Sequence, residues 1–436
     1  MVVPELGTSS KGRRRLGPDF VKLWLAQGVS NLGDGVYVTA LPLLAATLTR
    51  EPLPVSAVVF AEWLPWLLFG LLAGALLDRW DRRRVLWAVD AARFAAVAAF
   101  AVAVLAGWAS IPLLMATGFL LGSGQTLVDT ASQALVPTLV SRDRRRLERA
   151  NGRLQGTQVV AQELAGPPAG GFLFSAAGWL PFGADALSFA ASSALVAAIP
   201  ARRTAPAGSQ TTASTSTGQR PTLRAEVAEG LRWLARHRVL RAMAVLAAGV
   251  NLLSVAHGAI LVLFAQERLG LGSVGFGLLL TASAVGGLVG SVVAPWLGRH
   301  AGRAQVMVAG FVAGGLARVG IGLTHSPWVA GGLLAVTGLT PILYNVIFGS
   351  LRQQLIPDRL LGRVNSAYSL GTYGSVPLGA LLGGALAERF GLPAPFLVAG
   401  ILIPVMGVLA LRSMNRRTID QALAEVEEGA TRSASE

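Results

Sequence analysis

The sequence predicts an all-α membrane protein, twelve transmembrane helices in two pseudo-symmetric six-helix bundles, on three observations. Of the 436 residues, 53% are hydrophobic and only 14% are Asp, Glu, Lys or Arg. A soluble domain carries about 25% charged residues, so this chain cannot cover a water-facing surface and must turn most of its exterior to lipid. The apolar residues also fall into twelve long runs parted by short charged loops, and the last six runs repeat features of the first six.

A spanning helix needs about 20 mostly apolar residues. Such runs lie at 20–48, 54–77, 85–107, 111–136, 154–174 and 179–199, then at 239–263, 275–297, 305–323, 327–348, 364–386 and 393–411. The first follows Lys11, Arg13, Arg14 and Arg15, as the apolar core of a signal peptide would. It exceeds the roughly 7–15 residues of such a core and lacks a small-residue cleavage site, so it is expected to remain as the first transmembrane helix.

Twelve crossings put both termini and every second loop on one side, and that side gathers 32 of the 37 Lys and Arg residues. The opposite loops hold only Arg50, Arg268 and Arg389, while Arg93 and Arg318 fall inside runs. Cytoplasmic loops carry the Lys/Arg excess, which predicts a multi-pass protein of the inner (cytoplasmic) membrane with both termini in the cytoplasm. The net charge of +14 is then a signal of topology. A nucleic-acid partner would call for a contiguous basic face, and none is expected. Zero cysteines exclude disulfides and Cys-held zinc or iron–sulfur clusters; no metal or other cofactor is expected. The expected partners are the lipid bilayer, a small organic substrate and the proton, with the protein acting as a monomer.

Between the sixth and seventh runs lies TAPAGSQTTASTSTGQRP, Thr204 to Pro221, too polar to bury a core. After it, LRAEVAEGLRWLARHRVLR places Leu223, Val227, Leu231 and Leu234 at helical spacing. This reads as an amphipathic helix on the inner membrane face or as an extension of the seventh span. The expected organisation is a first bundle at 1–200, a cytoplasmic linker with an amphipathic helix at 201–238, a second bundle at 239–411 and a cytoplasmic tail at 412–436. The two bundles resemble each other. LVSRDRRRLERANGRLQGTQVVAQELAGPPAGG, from Leu139, aligns with LIPDRLLGRVNSAYSLGTYGSVPLGALLGG, from Leu355, with Asn151 opposite Asn365 and Gly170 opposite Gly384. Parallel six-helix repeats about an axis normal to the membrane are one transporter architecture, in which the halves rock around a central site.

Four stretches carry a family resemblance. GALLDRWDRRR, Gly74 to Arg84, fits a G-x-L-x-D-R-x-G-R-R pattern at Gly74, Leu76, Asp78, Arg79, Arg82 and Arg83, with Asp81 where glycine is usual. AGPPAGG, Ala165 to Gly171, fits a G-P-x-x-G-G core at Gly166, Pro167, Gly170 and Gly171, although the glycines expected upstream are replaced by Arg153 and Gln162. NLGDGVYVTALPLL and GADALSF add local likeness. Over its membrane region the chain resembles the major facilitator superfamily, in the branch that includes enterobactin exporters and macrolide-efflux proteins. The resemblance implies that Asp78, Arg79, Arg82 and Arg83 form a cytoplasmic gate with Gly74 and a fourth-helix acid, Asp129. Positive-inside anchoring explains the arginines alone but not Asp78. It also implies that AGPPAGG is an antiporter motif; plain close packing of small residues is the other reading.

Ionisable residues within spans are costly and point to function. Asp34 in the first run shares a helical face with Asn31 and Tyr37; Glu62 lies in the second and Glu163 in the fifth. Proton coupling needs a carboxylate that loads and releases a proton near neutral pH, which a low-dielectric cavity makes possible. Asp34, then Glu62, then Glu163 are the candidates, against helix-packing hydrogen bonds. Asp90 and Arg93 are spaced for a structural ion pair, and His257 reads as a structural donor. Asn31, Tyr37, Gln158, Gln162, Asn251, Tyr344, Asn345 and Tyr368 are expected around the substrate. Paired histidines or a nucleophile with its base are missing, so there are no catalytic residues and an enzyme is not expected. The expected function is export of a small organic compound, drug or siderophore-like, by proton antiport with alternating access. A proton-coupled importer or facilitator, or a non-transporting sensor, are the alternatives.

Overall fold

The computed structural model describes residues 16–77, 80–140, 143–200, 223–300, 303–356 and 360–413. Asp78 and Arg79 of the predicted gate, the linker 201–222 and the tail 414–436 lie outside them. The described elements are helical: α1 (Pro18–Leu48), α2 (Pro52–Leu77), α3 (Arg82–Leu105), α4 (Ile111–Val140), α5 (Arg144–Gln158), α6 (Gly166–Ala176), α7 (Leu180–Ala197) and α8 (Leu223–Arg236). They continue as α9 (Arg238–Gly258), α10 (Leu261–Leu263), α11 (Ser273–His300), α12 (Arg303–Leu323), α13 (Pro327–Leu355), α14 (Leu361–Phe390) and α15 (Ala394–Ser413), with π-helical turns at Val159–Ala165 and Phe264–Arg268.

Nine stretches among the described residues are long and apolar enough to cross a bilayer, and Ala394–Ala410 is a shorter apolar helix. α1 falls short of that measure because Gln27, Asn31 and Asp34 break its apolar run, and α5 because it is polar almost throughout. The chain is therefore an all-α, multi-pass membrane protein in which some helices carry more polar surface than lipid contact requires.

Local chemistry explains the interruptions. Pro167 and Pro168 lack the N–H groups that would continue the helical ladder, and the N–H of Gly166 reaches back five residues to the carbonyl of Ala161, which is the π-helical turn. At the start of α3, Asp81 accepts from the backbone N–H of Arg83 at 2.9 Å and of Arg84 at 3.3 Å. Its φ of −66° and ψ of 111° are open to any residue, so the turn has no need of the glycine usual in the motif, and the aspartate supplies an N-cap. α8 is a helix separate from α9: His237 takes an extended conformation and its ring accepts from the N–H of Leu240. α8 packs on α14, where Glu229 pairs with Arg363 at 2.6 Å. Leu234 is buried, whereas Leu231 is exposed, so the predicted apolar face is divided.

The cores show how the helices are arranged. One cluster joins the end of α1 (Tyr37, Leu41, Leu44) and the starts of α2 and α7 (Val55, Phe182) to Ile260–Ala265, Phe276 of α11 and Phe396 of α15. This distal cluster draws on both halves of the chain. At the opposite, proximal end the cores are separate. Phe20, Val85, Leu135 and Val196 belong to one, and Leu240, Met307, Phe348 and Val364 to the other. Apolar packing is thus shared between the halves distally and divided between them proximally. Close backbone approach seals the distal end: a Cβ at Gly171 would strike the carbonyl of Ser273, and one at Gly277 would strike that of Pro167. Arg50 also donates to Gln266 across the halves at 2.6 Å.

Replacing Asp81 with alanine should lower stability by about 1 kcal/mol, whereas glycine at this cap should cost only a few tenths. Thermal unfolding of the two variants in detergent checks it; equal losses would count against the capping role.

Candidate functional site

Three polar stripes at helical spacing face one another in the first half of the chain. α1 contributes Gln27, Ser30, Asn31 and Asp34, α4 contributes Gln125, Asp129, Ser132 and Gln133, and α5 contributes Asn151, Gln155 and Gln158. With Asp90 of α3 and Ser192 of α7 they line a cavity of about 460 Å³. That volume lies within the range of small-molecule sites. Of the residues singled out from sequence, Asn31, Asp34, Asp90, Asp129 and Gln158 meet here. The remaining carboxamides were not singled out, although their spacings of three and four residues along otherwise apolar or basic helices were readable.

At the wall of the cavity Arg93 organises the acids. Its Nη2 donates to Asp34 Oδ1 at 2.9 Å, and its Nη1 stands 3.8 Å from Asp90 Oδ1. The guanidinium lies over the ring of Phe189, 4.0 Å from its centroid. Asp90 in turn accepts from Ser192 Oγ at 2.6 Å. The ion pair expected from the i,i+3 spacing of Asp90 and Arg93 is therefore present, but the shorter bond runs to Asp34 on another helix. Arg93 is 3% exposed and Asp34 8%, so the pair sits in a medium where charges interact strongly and each depends on the other. Asp185 is fully buried beside Gly33, and its Oδ2 has no hydrogen-bond partner.

The other candidates scatter. Tyr37 is buried on α1 with its hydroxyl unpartnered, edge-on to Phe182, within electrostatic reach of Glu62, Asp185, Arg93 and Asp34. The backbone of Glu62 packs on Gly118 and Gly122 of α4. Gln162 accepts from Gln158 at 3.3 Å. Glu163 is on the exposed side of the π-helical turn. In the second half, Asn251 donates to the carbonyl of Thr372. Tyr344 stacks on Phe311 within that half's core, Tyr368 lies under the guanidinium of Arg352, and Asn345 is exposed. His257 is buried, with Nδ1 2.9 Å from the carbonyl of Leu253. Trp66 of α2 meets Tyr373 of α14 across the two halves, beside a crevice of about 240 Å³ that Asn365 also lines.

Gly74 lies in the last turn of α2. Arg82 donates to the carbonyl of Ala134 in α4, and Arg83 to those of Val196 and Ala197 in α7. Cations at helix C-termini satisfy free carbonyls and complement the dipole; Arg83 does this at the end of α7, and Arg82 ties α3 to α4 through a carbonyl within the helix. Asp129 accepts from Gln125 at 2.8 Å. Gly166 and Gly170 of AGPPAGG allow close approach to Gly35 and Val36 of α1, and Gly171 meets α11.

Polar side chains converging on a cavity inside an apolar helical protein define a carrier of small solutes. The chain belongs to the transmembrane secretion effector family, whose pattern matches residues 17–429, and it is a secondary transporter of the major facilitator superfamily, not an enzyme. It is 30% identical to the multidrug efflux pump Tap of Mycobacterium tuberculosis, over 93% of this chain and 96% of that one. It is 23% identical to macrolide efflux protein A of Streptococcus pyogenes, over 92% and 97%. Among solved structures, a bacterial homologue of the iron transporter ferroportin in its inward-facing state superposes with a TM-score of 0.69 at 20% identity, covering 90% of this chain and 98% of that one. The outward-facing form scores 0.57 at 22% identity, over 90% and 99%.

Replacing Arg93 with glutamine leaves Asp34 and Asp90 buried without their cation and should destabilise the protein by roughly 3–5 kcal/mol. Adding Asp34→Asn should recover part of that loss. A double-mutant cycle read by thermal unfolding tests the coupling, and strictly additive effects would argue against it.

Proposed function

We propose that this chain exports a small, hydrogen-bonding organic cation from the cytoplasm by proton antiport, through twelve spans arranged as two six-helix bundles that rock against each other, with the cavity in the first of them. The observation that carries this reading is the pairing of Asp34 with Arg93 at 2.9 Å in the wall of the 460 Å³ cavity. A proton taken by Asp34 cancels its attraction for Arg93, and the guanidinium then turns to Asp90. The same wall therefore has two arrangements, which is what coupling an ion to a conformational change requires. Asp34 is the first candidate for the proton. Glu62 stands within electrostatic reach of it, and Glu163, on an exposed face, is third.

The alternation of basic loops orients the proximal end, with both termini, toward the cytoplasm of a bacterial inner membrane. The division of the cores at this end suits an inward-open state, and the better superposition on the inward-facing form supports that reading. In the proposed gate, Asp78, Arg79, Arg82 and Arg83 close the proximal end with Asp129, and Gly74 gives the turn its room. In this state Arg82 and Arg83 hold carbonyls of their own half. AGPPAGG forms the distal seal of the antiporter. The linker with its amphipathic helix, 201–238, joins bundles 1–200 and 239–411, with 412–436 as a tail, and one copy suffices for transport.

The relatives named as efflux pumps support export. The acids and carboxamides of the cavity favour a cationic drug over a carboxylate or catecholate siderophore, whose negative charge Asp34, Asp90 and Asp129 repel. Asn31, Gln158 and, one turn on, Gln162 are placed to bond the cargo. Tyr37, Asn251, Tyr344, Asn345 and Tyr368 act further away, through the helices that must move.

In everted vesicles carrying a proton gradient, a cationic drug such as ethidium should dissipate the gradient in proportion to the amount of protein, and Asp34→Asn should abolish this response. Uptake of the drug that continues unchanged after an ionophore collapses the gradient would sink the antiport reading. Asp129→Asn should raise the half-saturating concentration of the cation roughly tenfold, the factor that corresponds to about 1.4 kcal/mol; transport assays across a concentration series read it directly.

A further inference from the structure

The second half holds a buried cation that nothing so far explains. Arg318 of α12 is 3% exposed. Its Nη1 donates to the carbonyl of Gly314 at 3.0 Å and its Nη2 to Ser254 Oγ at 3.3 Å, while Nε is buried with no hydrogen-bond partner. No carboxylate of the described residues lies within ion-pair distance. The groups around it are Ser254 and His257 of α9, Thr340 and Tyr344 of α13, and none is acidic. The contrast with the first half is direct. Asp34 and Ser254 each stand sixteen residues past the first residue of their helices, Pro18 and Arg238. One binds a buried arginine with a carboxylate, the other with a hydroxyl. Among the described residues, Arg93 has its counter-charge and Arg318 does not.

A lone guanidinium sealed inside a membrane protein carries an uncompensated charge whose effective penalty is several kcal/mol. Beside it is a small pocket of about 10 Å³ whose lining includes Arg318, Gly314, Phe311, Thr340 and Tyr344. That volume is about what one water-sized particle needs. Gly314 keeps it open, since a Cβ there would come within 2.8 Å of Thr340 Oγ1 and 3.1 Å of Arg318 Nη1. We propose that this pocket is an anion site, in which Arg318 holds a single chloride ion against Tyr344, with Thr340, whose hydroxyl donates to the carbonyl of Thr337 at 3.2 Å, forming the wall. A carboxylate or phosphate is too large for the space, and a water molecule would leave the positive charge unbalanced. The chloride supplies the counter-charge that Asp34 supplies to Arg93.

The test is thermal unfolding of the purified full-length protein in detergent, in sodium chloride and in sodium gluconate at equal ionic strength. The wild type should unfold about 2 °C or more higher in chloride, with a rise that saturates as chloride is titrated. Arg318→Gln removes the cation and should abolish the difference. Ser254→Asp places a carboxylate within reach of Arg318 and should abolish it as well, with the higher stability kept in both salts; this variant decides the matter if Arg318→Gln does not fold. Equal unfolding temperatures of the wild type in the two salts, or a chloride response that survives unchanged in Ser254→Asp, would overturn the assignment.

Discussion

The first half of this protein is organised around the removal of charge from water. Asp34, Asp90 and Arg93 lie where bulk solvent cannot screen them, so each is tolerated only in the company of the others. That requirement fixes the mutual placement of α1 and α3, because a contact of 2.9 Å between their side chains leaves little freedom of register. It brings α7 along as well, through Ser192 on Asp90 and Phe189 beneath the guanidinium. The amide-lined cavity opens directly against this cluster, so its shape and its electrostatics are set by the same few atoms.

Compensation of buried charge also ties the proximal ends together. Helix C-termini present unpaired carbonyls, and Arg83 and Lys22 reach the end of α7, while Arg82 bonds the carbonyl of Ala134 inside the last two turns of α4. The basic residues near this end therefore have two physical tasks. They bias orientation in the membrane, and they bind α1 and α3 to the ends of neighbouring helices. The second half meets the same problem at Arg318 with fewer means, having a serine where the first half has an aspartate.

Much of this was legible in the sequence. Apolar run length and the alternation of charge mark the helices, and the small residues of AGPPAGG mark a tight contact that the structure places against α1 and α11. Asp34 could be singled out because an acid in an apolar run demands a reason. What the sequence concealed was partnership. The i,i+3 spacing of Asp90 and Arg93 points to a local pair, whereas the shorter bond crosses to a residue 59 positions away. Tyr344 and Tyr368 read as cavity residues by polarity, but aromatic packing and the guanidinium of Arg352 hold them in the core of the second half. Asp81, a departure from the motif when read as a letter, is a helix cap when read as a hydrogen-bond acceptor.

The distal seal has a consequence for how easily the protein reverses. Surfaces that close through long side chains must freeze many rotamers on meeting, at a cost of up to about 2 kcal/mol per flexible residue. Gly171 and Gly277 meet backbone directly, and glycine has no rotamers to lose. Their contact is made of dispersion between preformed helix surfaces, and hydrocarbon around the helices offers no solvent force to drive it. That part of the seal freezes few rotamers, beside the apolar cluster and the Arg50–Gln266 bond that complete it. Where the joint is glycine against backbone, its closing and parting are governed by fit, not by the freezing of side chains.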